Sequence, residues 1–206
     1  MSKLETNTID TVSGTSTLQV GSTNTSTITL GVSGDTINVP SGVTIANSGT
    51  ATGFGGDNTP IISAFLSANT NVSDATWTKI VFATESIDTD SAWDNSSTSR
   101  FTVPSGEGGK YMVTARLFGR GNNNDINTVA VRIYVNGNAN NHARAIQFQA
   151  PTTGSAQGTC VSVTQIISLS ASDYVEAWGY IDVGSGTPYF GSGDLDTGIT
   201  ICKMIE

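Results

Sequence analysis

Few of the side chains in this sequence are of the types that carry out chemistry on a bound substrate. The 206 residues include one histidine, His142, and two cysteines, Cys160 and Cys202, and none of them has a neighbour at a spacing typical of a zinc site. The sequence also lacks the Gly-x-Ser-x-Gly motif of a nucleophilic serine and the glycine-rich phosphate loop. We therefore expect a protein that is not an enzyme and that binds no cofactor.

The carboxylates offer two further places at which chemistry is conceivable. Asp88 and Asp90 fall in a predicted loop, and the sequence leaves open whether they converge as a pair suited to glycoside hydrolysis. Asp182, Asp194 and Asp196 flank the last predicted loop, and their oxygens are of the kind that calcium prefers. We favour the alternative that these are separate surface carboxylates, so no metal site is predicted.

The composition and charge of the chain exclude two classes of partner, nucleic acid and the membrane interior. Charged residues make up 13% of the chain, its net charge is −8, and no run of Lys or Arg provides the basic surface that nucleic acid requires. The N-terminus lacks an apolar signal core, and no stretch approaches the roughly 20 apolar residues of a membrane span. We expect no nucleic-acid partner and no membrane insertion. Two cysteines are too few for a disulfide framework, so both are expected to be buried free thiols.

The elements that position these residues fall into two regions, the first of which is residues 1–58. It has short aliphatic pairs bounded by Gly, Ser, Asn or Pro, and Thr-Ser-Thr-Leu-Gln-Val-Gly at 15–21 recurs as Thr-Ser-Thr-Ile-Thr-Leu-Gly at 25–31. So few aliphatics bury too little surface to stabilise a single copy. We predict a shaft of short β-strands that is intertwined with other copies or docked on a partner. A flexible linker is the alternative. The glycines and proline of 51–60 are typical of a hinge.

Residues 59–206 are predicted to form an all-β sandwich, the head. Runs of strand length alternate with turn signals, and no window has a helical period. The strands are predicted at residues 61–68, 76–82, 100–103, 110–118, 127–136, 144–149, 159–169, 174–182 and 195–204.

The predicted strands differ in how many of their faces are apolar. The strand at 127–136 alternates apolar and polar residues, which predicts burial on one side only. The strand at 110–118 instead has Val113 and Leu117 on one face and Met112 on the other, and the last strand shows the same pattern. A sheet that is apolar on both faces needs a partner for its outer side, so the pattern indicates self-association.

Ser-Arg-Phe-Thr-Val-Pro-Ser-Gly-Glu-Gly-Gly-Lys-Tyr at 99–111 resembles the "G-x-F-x-x-P…G-x-Y" signature of the globular heads of the complement first-component q subunit, a TNF-like jelly-roll family. Three later stretches match in order: Val131–Gly137, ending in Asn-Gly; Val163–Val175, like the "L-x-x-G-D-x-V" turn; and the closing strand at 197–204. Ser172 departs from the pattern, since glycine is usual there, and a collagen stalk is missing. The resemblance implies a ten-strand jelly roll that forms a homotrimer through one sheet.

The N-terminal region, with Ser-Gly-Asp-Thr-Ile-Asn-Val-Pro-Ser-Gly-Val-Thr-Ile at 33–45, is similar to the shafts of structural proteins of marine bacteriophages. Together the two resemblances imply a virion protein, assembled in the host cytoplasm and attached to other virion proteins through residues 1–58. The leading hypothesis is a trimeric tail fibre or fibre tip that recognises the host surface. A capsid head fibre or decoration protein is the alternative, and a soluble carbohydrate-binding module is a second one.

Recognition is predicted at one end of the sandwich. Alternating antiparallel strands place the loops at 105–109, 136–141 and 170–173 at the end that receives the shaft. The longer loops, at 85–98, 120–126, 150–158 and 183–192, are expected at the distal end, where aromatic and amide side chains suit a host glycan or protein. The candidate residues are Trp93, Asn122, Asn123, Asn124, Thr152, Thr153, Tyr189 and Phe190. For Trp93 and Phe190, the alternative is that the ring closes the end of the barrel.

Overall fold

A computed structural model of the chain describes residues 20, 24, 26–46, 58–96, 98–140, 142–149, 158–193 and 195–204. The chain divides into two compact units, Met1–Ala51 and Thr52–Glu206. Residues 47–57, which include residues 51–57 of the predicted hinge, lie outside the described residues, and the predicted boundary at 58/59 stays a prediction.

The second unit is built from strands alone in the part that the structure describes, and no helix there is long and apolar enough to cross a membrane. The strands are β1 (Ile61–Phe65), β2 (Thr70–Asn71), β3 (Thr78–Lys79), β4 (Thr84–Asp88), β5 (Trp93–Asp94), β6 (Arg100–Thr102), β7 (Gly109–Gly121), β8 (Ile126–Val135), β9 (Arg144–Phe148), β10 (Gly158–Leu169), β11 (Tyr174–Val183), β12 (Pro188–Phe190) and β13 (Gly198–Lys203).

The strands form two antiparallel sheets whose order is that of a jelly roll. Sheet A runs β4–β1–β13–β7–β10, with the short β12 beside the far end of β7 and β2 beside β12. Sheet B runs β5–β6–β11–β8–β9, with β3 also beside β11. Two antiparallel sheets, joined by connections that cross between them, make the double-sheet jelly roll. The predicted all-β jelly-roll head is confirmed.

The core lies between the sheets and is formed by every second residue of each long strand. On β7, Tyr111, Val113, Ala115 and Leu117 are fully buried, as the predicted alternation requires. Across the core, β8 and β11 contribute buried aliphatics, and Phe101 packs against Tyr111 with ring centroids 5.4 Å apart. Burial raises the pKa of the Tyr111 phenol to about 12, with the nearby Glu107 and Asp90 carboxylates adding to the effect.

One predicted burial pattern is wrong. Strand β8 was expected to be buried on one side only, but Ala130 and Thr128, which point away from the core, are also buried. Their register explains this, because Ala130 lies between Ile146 of β9 and Tyr180 of β11, whose larger side chains flank it. Short residues on a central strand are covered by long neighbours on the strands at either side.

The described part of the first unit consists of extended chain and tight turns. Turns at Ser33–Gly34 and Ser41–Gly42 are closed by hydrogen bonds from Asp35 N to Val32 O (2.9 Å) and from Val43 N to Pro40 O (3.2 Å). Gly34 and Gly42 have φ angles of +96° and +85°, which glycine adopts at no steric cost. Both turns fall at a Ser-Gly pair of the sequence. No β-strand is present among residues 20, 24 and 26–46, so the predicted β shaft stays a prediction.

Candidate functional site

The outer face of sheet A is the first candidate surface, and the strand register sets out its residues in rows. The row nearest the point where the chain enters the head consists of Ile61, Cys202, Met112 and Ile166, each directly opposite the next. The next two rows across the same strands are Ser63, Thr200, Thr114 and Thr164, and then Phe65, Gly198, Arg116 and Ser162.

The first of these rows is apolar, the second carries hydroxyl groups, and the third is mixed. Met112 and Ile166 are 41% and 57% exposed, and the Thr114 and Thr164 hydroxyls lie 2.9 Å apart in a hydrogen bond. Arg116 is the one charged residue in the three rows. A depression of about 320 Å³ opens beside the apolar row, between Met112, Cys202 and Met204. Few charges, exposed aliphatics and a depression that fits a side chain are typical of the core of a protein interface.

The two cysteines lie on this same face and differ from the expectation. Both are free, but Cys160 is exposed and Cys202 is half-buried, whereas both were predicted to be buried. Their position explains the difference, because Cys160 lies opposite Phe118 and Cys202 opposite Met112, all directed away from the core. Partial burial and the Asp196 carboxylate raise the pKa of the Cys160 thiol, with Arg116 opposing them, so this thiol is a weak nucleophile at neutral pH.

The proximal end of the sandwich is the end at which the chain enters the head. The backbone N–H of Lys203 donates to Pro60 O (3.2 Å), and the Lys203 ammonium pairs with Glu107 at 2.8 Å. Beside it, the Asn136 side-chain amide donates to Asp173 (2.7 Å) and tethers two loops to each other. The predicted placement of the loops at 105–109, 136–141 and 170–173 at one end is therefore confirmed for the residues that are described.

The distal end brings together four of the candidate recognition residues, which we name the distal rim: Asn122, Asn123, Asn124 and Tyr189. The Asn122 side chain accepts a hydrogen bond from Thr187 N (2.8 Å), and its backbone N–H donates to Thr187 O (3.2 Å). This pairing fixes the loop after β7 against the loop before β12. Asn122 and Asn123 are exposed, so their amide groups can reach a ligand.

Arg120 lies beside Tyr189 of the distal rim, although the sequence did not single it out. Its guanidinium carbon lies 5.4 Å from the Phe118 ring centre and 5.6 Å from that of Tyr189, so the cation is between two aromatic rings. The three residues come together because β12 pairs with the last residues of β7. That pairing joins segments about 70 residues apart, which local sequence patterns do not reveal.

Two candidate residues lie in the core instead of at the distal rim. Trp93 is 7% exposed, its indole N–H donates to Phe82 O, and its strand β5 pairs with β6 near the proximal end. Phe190 is 1% exposed and packs on Gly179, where an added Cβ would lie 2.6 Å from its ring. The predicted distal position of Trp93 and exposure of Phe190 are therefore wrong. Thr152 and Thr153 lie outside the described residues.

Two of the carboxylates that the sequence singled out, Asp88 and Asp182, have a defined position in the structure. Asp88 accepts hydrogen bonds from the backbone N–H groups of Ala92 (2.9 Å) and Trp93 (3.0 Å) and so closes a turn. Asp182 lies on the outer face of sheet B, opposite Thr128, and Asp194 is outside the described residues. Among the residues that the structure describes, no three His, Cys, Asp or Glu side chains come close enough to hold a metal ion. Partial burial lowers the pKa of His142, with Arg132 adding to the effect.

No known family model matches the sequence, and no curated protein matches it either. Solved structures do match. The Eiger TNF of S. frugiperda is 13% identical, with a TM-score of 0.49, over 70% of this chain and 93% of that one. The globular domain of zebrafish complement 1qA protein is 15% identical, with a TM-score of 0.48, over 71% and 98%. Murine APRIL is 11% identical, with a TM-score of 0.49, over 70% and 100%.

Proposed function

We propose that this chain is a non-enzymatic structural protein of a bacteriophage virion, a homotrimeric fibre whose head recognises the host surface. In this proposal the outer face of sheet A packs against two other copies. Residues 1–58 form the shaft and attach to other virion proteins, and the distal rim contacts a host glycan or protein.

The observation that carries the proposal is the exposure of the N-terminal aliphatic residues. All eight Val, Ile and Leu residues among the described residues 20, 24 and 26–46 are between 41% and 77% exposed in the single chain. Burial of one such side chain stabilises a fold by about 1.5–3 kcal/mol, so eight exposed ones leave this region without a core of its own. Most of them recur two residues apart in short groups, and such repeated groups favour packing on copies of the same segment. The residues are Val20, Ile28, Leu30, Val32, Ile37, Val39, Val43 and Ile45.

The head supports the same assembly through a different surface. The apolar row of sheet A and the hydroxyl row beside it are exposed or half-buried in the single chain, and self-association would cover them. The apolar row begins at Ile61, directly after Pro60, so it lies next to the residues at which the chain enters the head. A trimer of shafts and a trimer of heads are therefore compatible with one continuous assembly along the chain.

The assignment to a virion is tested by locating the protein. Particles from a lysate that contains the protein are banded on a density gradient, and each fraction is analysed by quantitative mass spectrometry. We expect the chain to band with the particles in a fixed ratio to the capsid protein. An antibody against the head should then label a fibre in electron micrographs. A chain that stays in the unbanded fraction would overturn the virion assignment.

Host recognition by the distal rim is tested by competition. Purified protein, added to host cells before the phage, is expected to reduce phage attachment. The double variant N123A/Y189A is expected to compete at least about tenfold less well, since it removes an exposed amide and an aromatic ring from the rim. The control is N140A, an exposed amide at the proximal end. Equal loss of competition by the control and the rim variant would exclude the rim as the receptor-binding surface.

A further inference from the structure

The outer face of sheet B contains a groove that the proposed function does not use. Its layout follows from the register of three neighbouring strands. Thr128 of β8 lies between Phe148 of β9 and Asp182 of β11, and one step along, Ala130 lies between Ile146 and Tyr180. The central strand thus contributes the short side chains and the flanking strands the long ones, which forms a trough parallel to the strands.

The walls of the groove carry aromatic rings. Trp77, which directly precedes β3, packs against Tyr180 with ring centroids 5.5 Å apart and planes tilted by 42°. Phe148 stands on the opposite wall and is 72% exposed, the greatest exposure of any ring in the described part of the head. The cavity has a volume of about 380 Å³, within the range of small-ligand sites, about 300–1,000 Å³.

Polar groups of opposite charge complete the groove. Arg144, the first residue of β9, contributes guanidinium donors, and Asp182 contributes carboxylate acceptors. The two lie on different strands and two register steps apart, with Thr128 beside Asp182. The groove therefore has no net charge, has hydrogen-bonding groups of both kinds, and has aromatic faces between them.

We propose that this groove binds a neutral saccharide. A pyranose ring has faces of C–H groups, which pack on aromatic rings, and a rim of hydroxyls, each able to donate and accept a hydrogen bond. A carboxylate and a guanidinium together satisfy both roles of a hydroxyl rim. The site is separate from the distal rim and from sheet A, so the inference does not depend on the proposed function.

Other ligand classes fit the groove less well. A polyanion such as nucleic acid meets one arginine in the groove and a chain with a net charge of −8. A purely apolar ligand would desolvate Asp182 and Arg144 without replacing their hydrogen bonds to water. A peptide that adds a β-strand would need the backbone groups at a sheet edge, whereas this trough lies on the sheet face.

The full-length protein is titrated with cellohexaose, maltohexaose and mannohexaose by isothermal calorimetry, with heparin and an anilinonaphthalene dye as the acidic and apolar probes. We expect at least one neutral oligosaccharide to bind. F148A is expected to weaken that binding by at least about tenfold, and because Phe148 is largely exposed, this variant should keep the fold. D182N and W77A should weaken it as well. The control is L195A, which removes another highly exposed apolar side chain, outside the groove.

Three results would overturn the inference. One is that none of the three oligosaccharides binds at about 1 mM, the weakest affinity that the titration detects. Another is that an oligosaccharide binds equally well to F148A and to the parent protein. The third is that only heparin or the dye binds. The molar mass of F148A is measured in parallel, so that a failure of trimerisation and a failure of saccharide binding are distinguished.

Discussion

Ser172 holds a backbone conformation that residues other than glycine rarely adopt. Its φ angle is +72°, in the turn between β10 and β11, and its N–H donates to Val103 O (2.9 Å), which keeps the turn in place. The resemblance noted above has glycine at this position. For a residue with a Cβ, the left-handed region costs about 1–2 kcal/mol, so the turn is strained by its own side chain.

Ser172→Gly is therefore expected to stabilise the head, by up to about 1 kcal/mol after allowing for the greater entropy of glycine in the unfolded chain. The measurement is the thermal midpoint at one fixed protein concentration. Ser170→Gly is the control, because Ser170 is a nearby exposed serine without a positive φ angle. A midpoint that falls for Ser172→Gly as much as for Ser170→Gly would show that the turn is not strained.

Asp173, the next residue, makes the stability of the folded head depend on pH. Hydrogen bonds from the Asn136 side-chain amide and from the Ser170 backbone N–H hold the pKa of its carboxyl below the ordinary value of 3.8. A group whose pKa is lowered on folding stabilises the protein above its unfolded pKa and loses this effect as the pH falls through its folded pKa. The contribution is thus complete at neutral pH, begins to decline near pH 3.8, and is lost as the pH falls through the lower pKa of the folded state.

Asp173→Asn is expected to lower the thermal midpoint at pH 7 and to reduce the difference between the midpoints at pH 7 and pH 3. Asn136→Ala should have the same two effects, because it removes the principal donor. Effects of the two substitutions that add fully in the double variant would contradict this account, since residues that share a hydrogen bond are coupled.

At the scale of elements, the sequence predicts the long strands well and the short ones poorly. The predicted strands at 159–169 and 174–182 match β10 and β11 within one residue, because alternating apolar residues and the Gly or Ser and Asp turns beside them mark them clearly. Trp93 was misplaced because β5 is two residues long, too short for a period to show which way a side chain points. The groove on sheet B was missed because its walls come from segments that are 30 or more residues apart.

The proposed interface on sheet A is tested by adding a charge to it. Ile166→Glu changes a side chain that is exposed in the single chain, so the head itself should fold, while a carboxylate in an apolar interface would be desolvated without a partner. We expect the trimer to dissociate at concentrations where the parent protein is intact, as measured by sedimentation velocity. Phe148→Glu places the same charge on the opposite sheet and should leave the mass unchanged. Equal masses for the two variants would place the interface elsewhere.

A second prediction at the scale of elements concerns the exposed aliphatic side chains of the first unit. Leu30→Ser and Ile37→Ser together remove two of the eight exposed aliphatics without altering either Ser-Gly turn. If these side chains are buried between copies, their loss should lower the melting temperature of the shaft in the full-length protein, followed by circular dichroism, while the head transition stays where it is. Thr29→Ser is the matched control on a neighbouring residue. An unchanged first transition would favour a flexible linker.

At the scale of the whole molecule, the account depends on surfaces that a single chain leaves exposed. The eight aliphatics of the first unit and the apolar row of sheet A belong to different units, and both have unburied apolar surface. Monomeric proteins seldom expose large contiguous apolar patches, and self-association buries both at once. The three rows described on the outer face of sheet A carry one charged residue, Arg116, which fits this arrangement, because the net charge of −8 is carried elsewhere on the chain.

The measurement that tests this most directly is the absolute molar mass of the purified full-length protein by light scattering, over a series of dilutions. The account predicts about three times the 21.3 kDa of one chain, unchanged on dilution into the nanomolar range. A mass of one chain at all concentrations would contradict it, because the exposed aliphatics of the first unit and the sheet A face would then have no partner in solution.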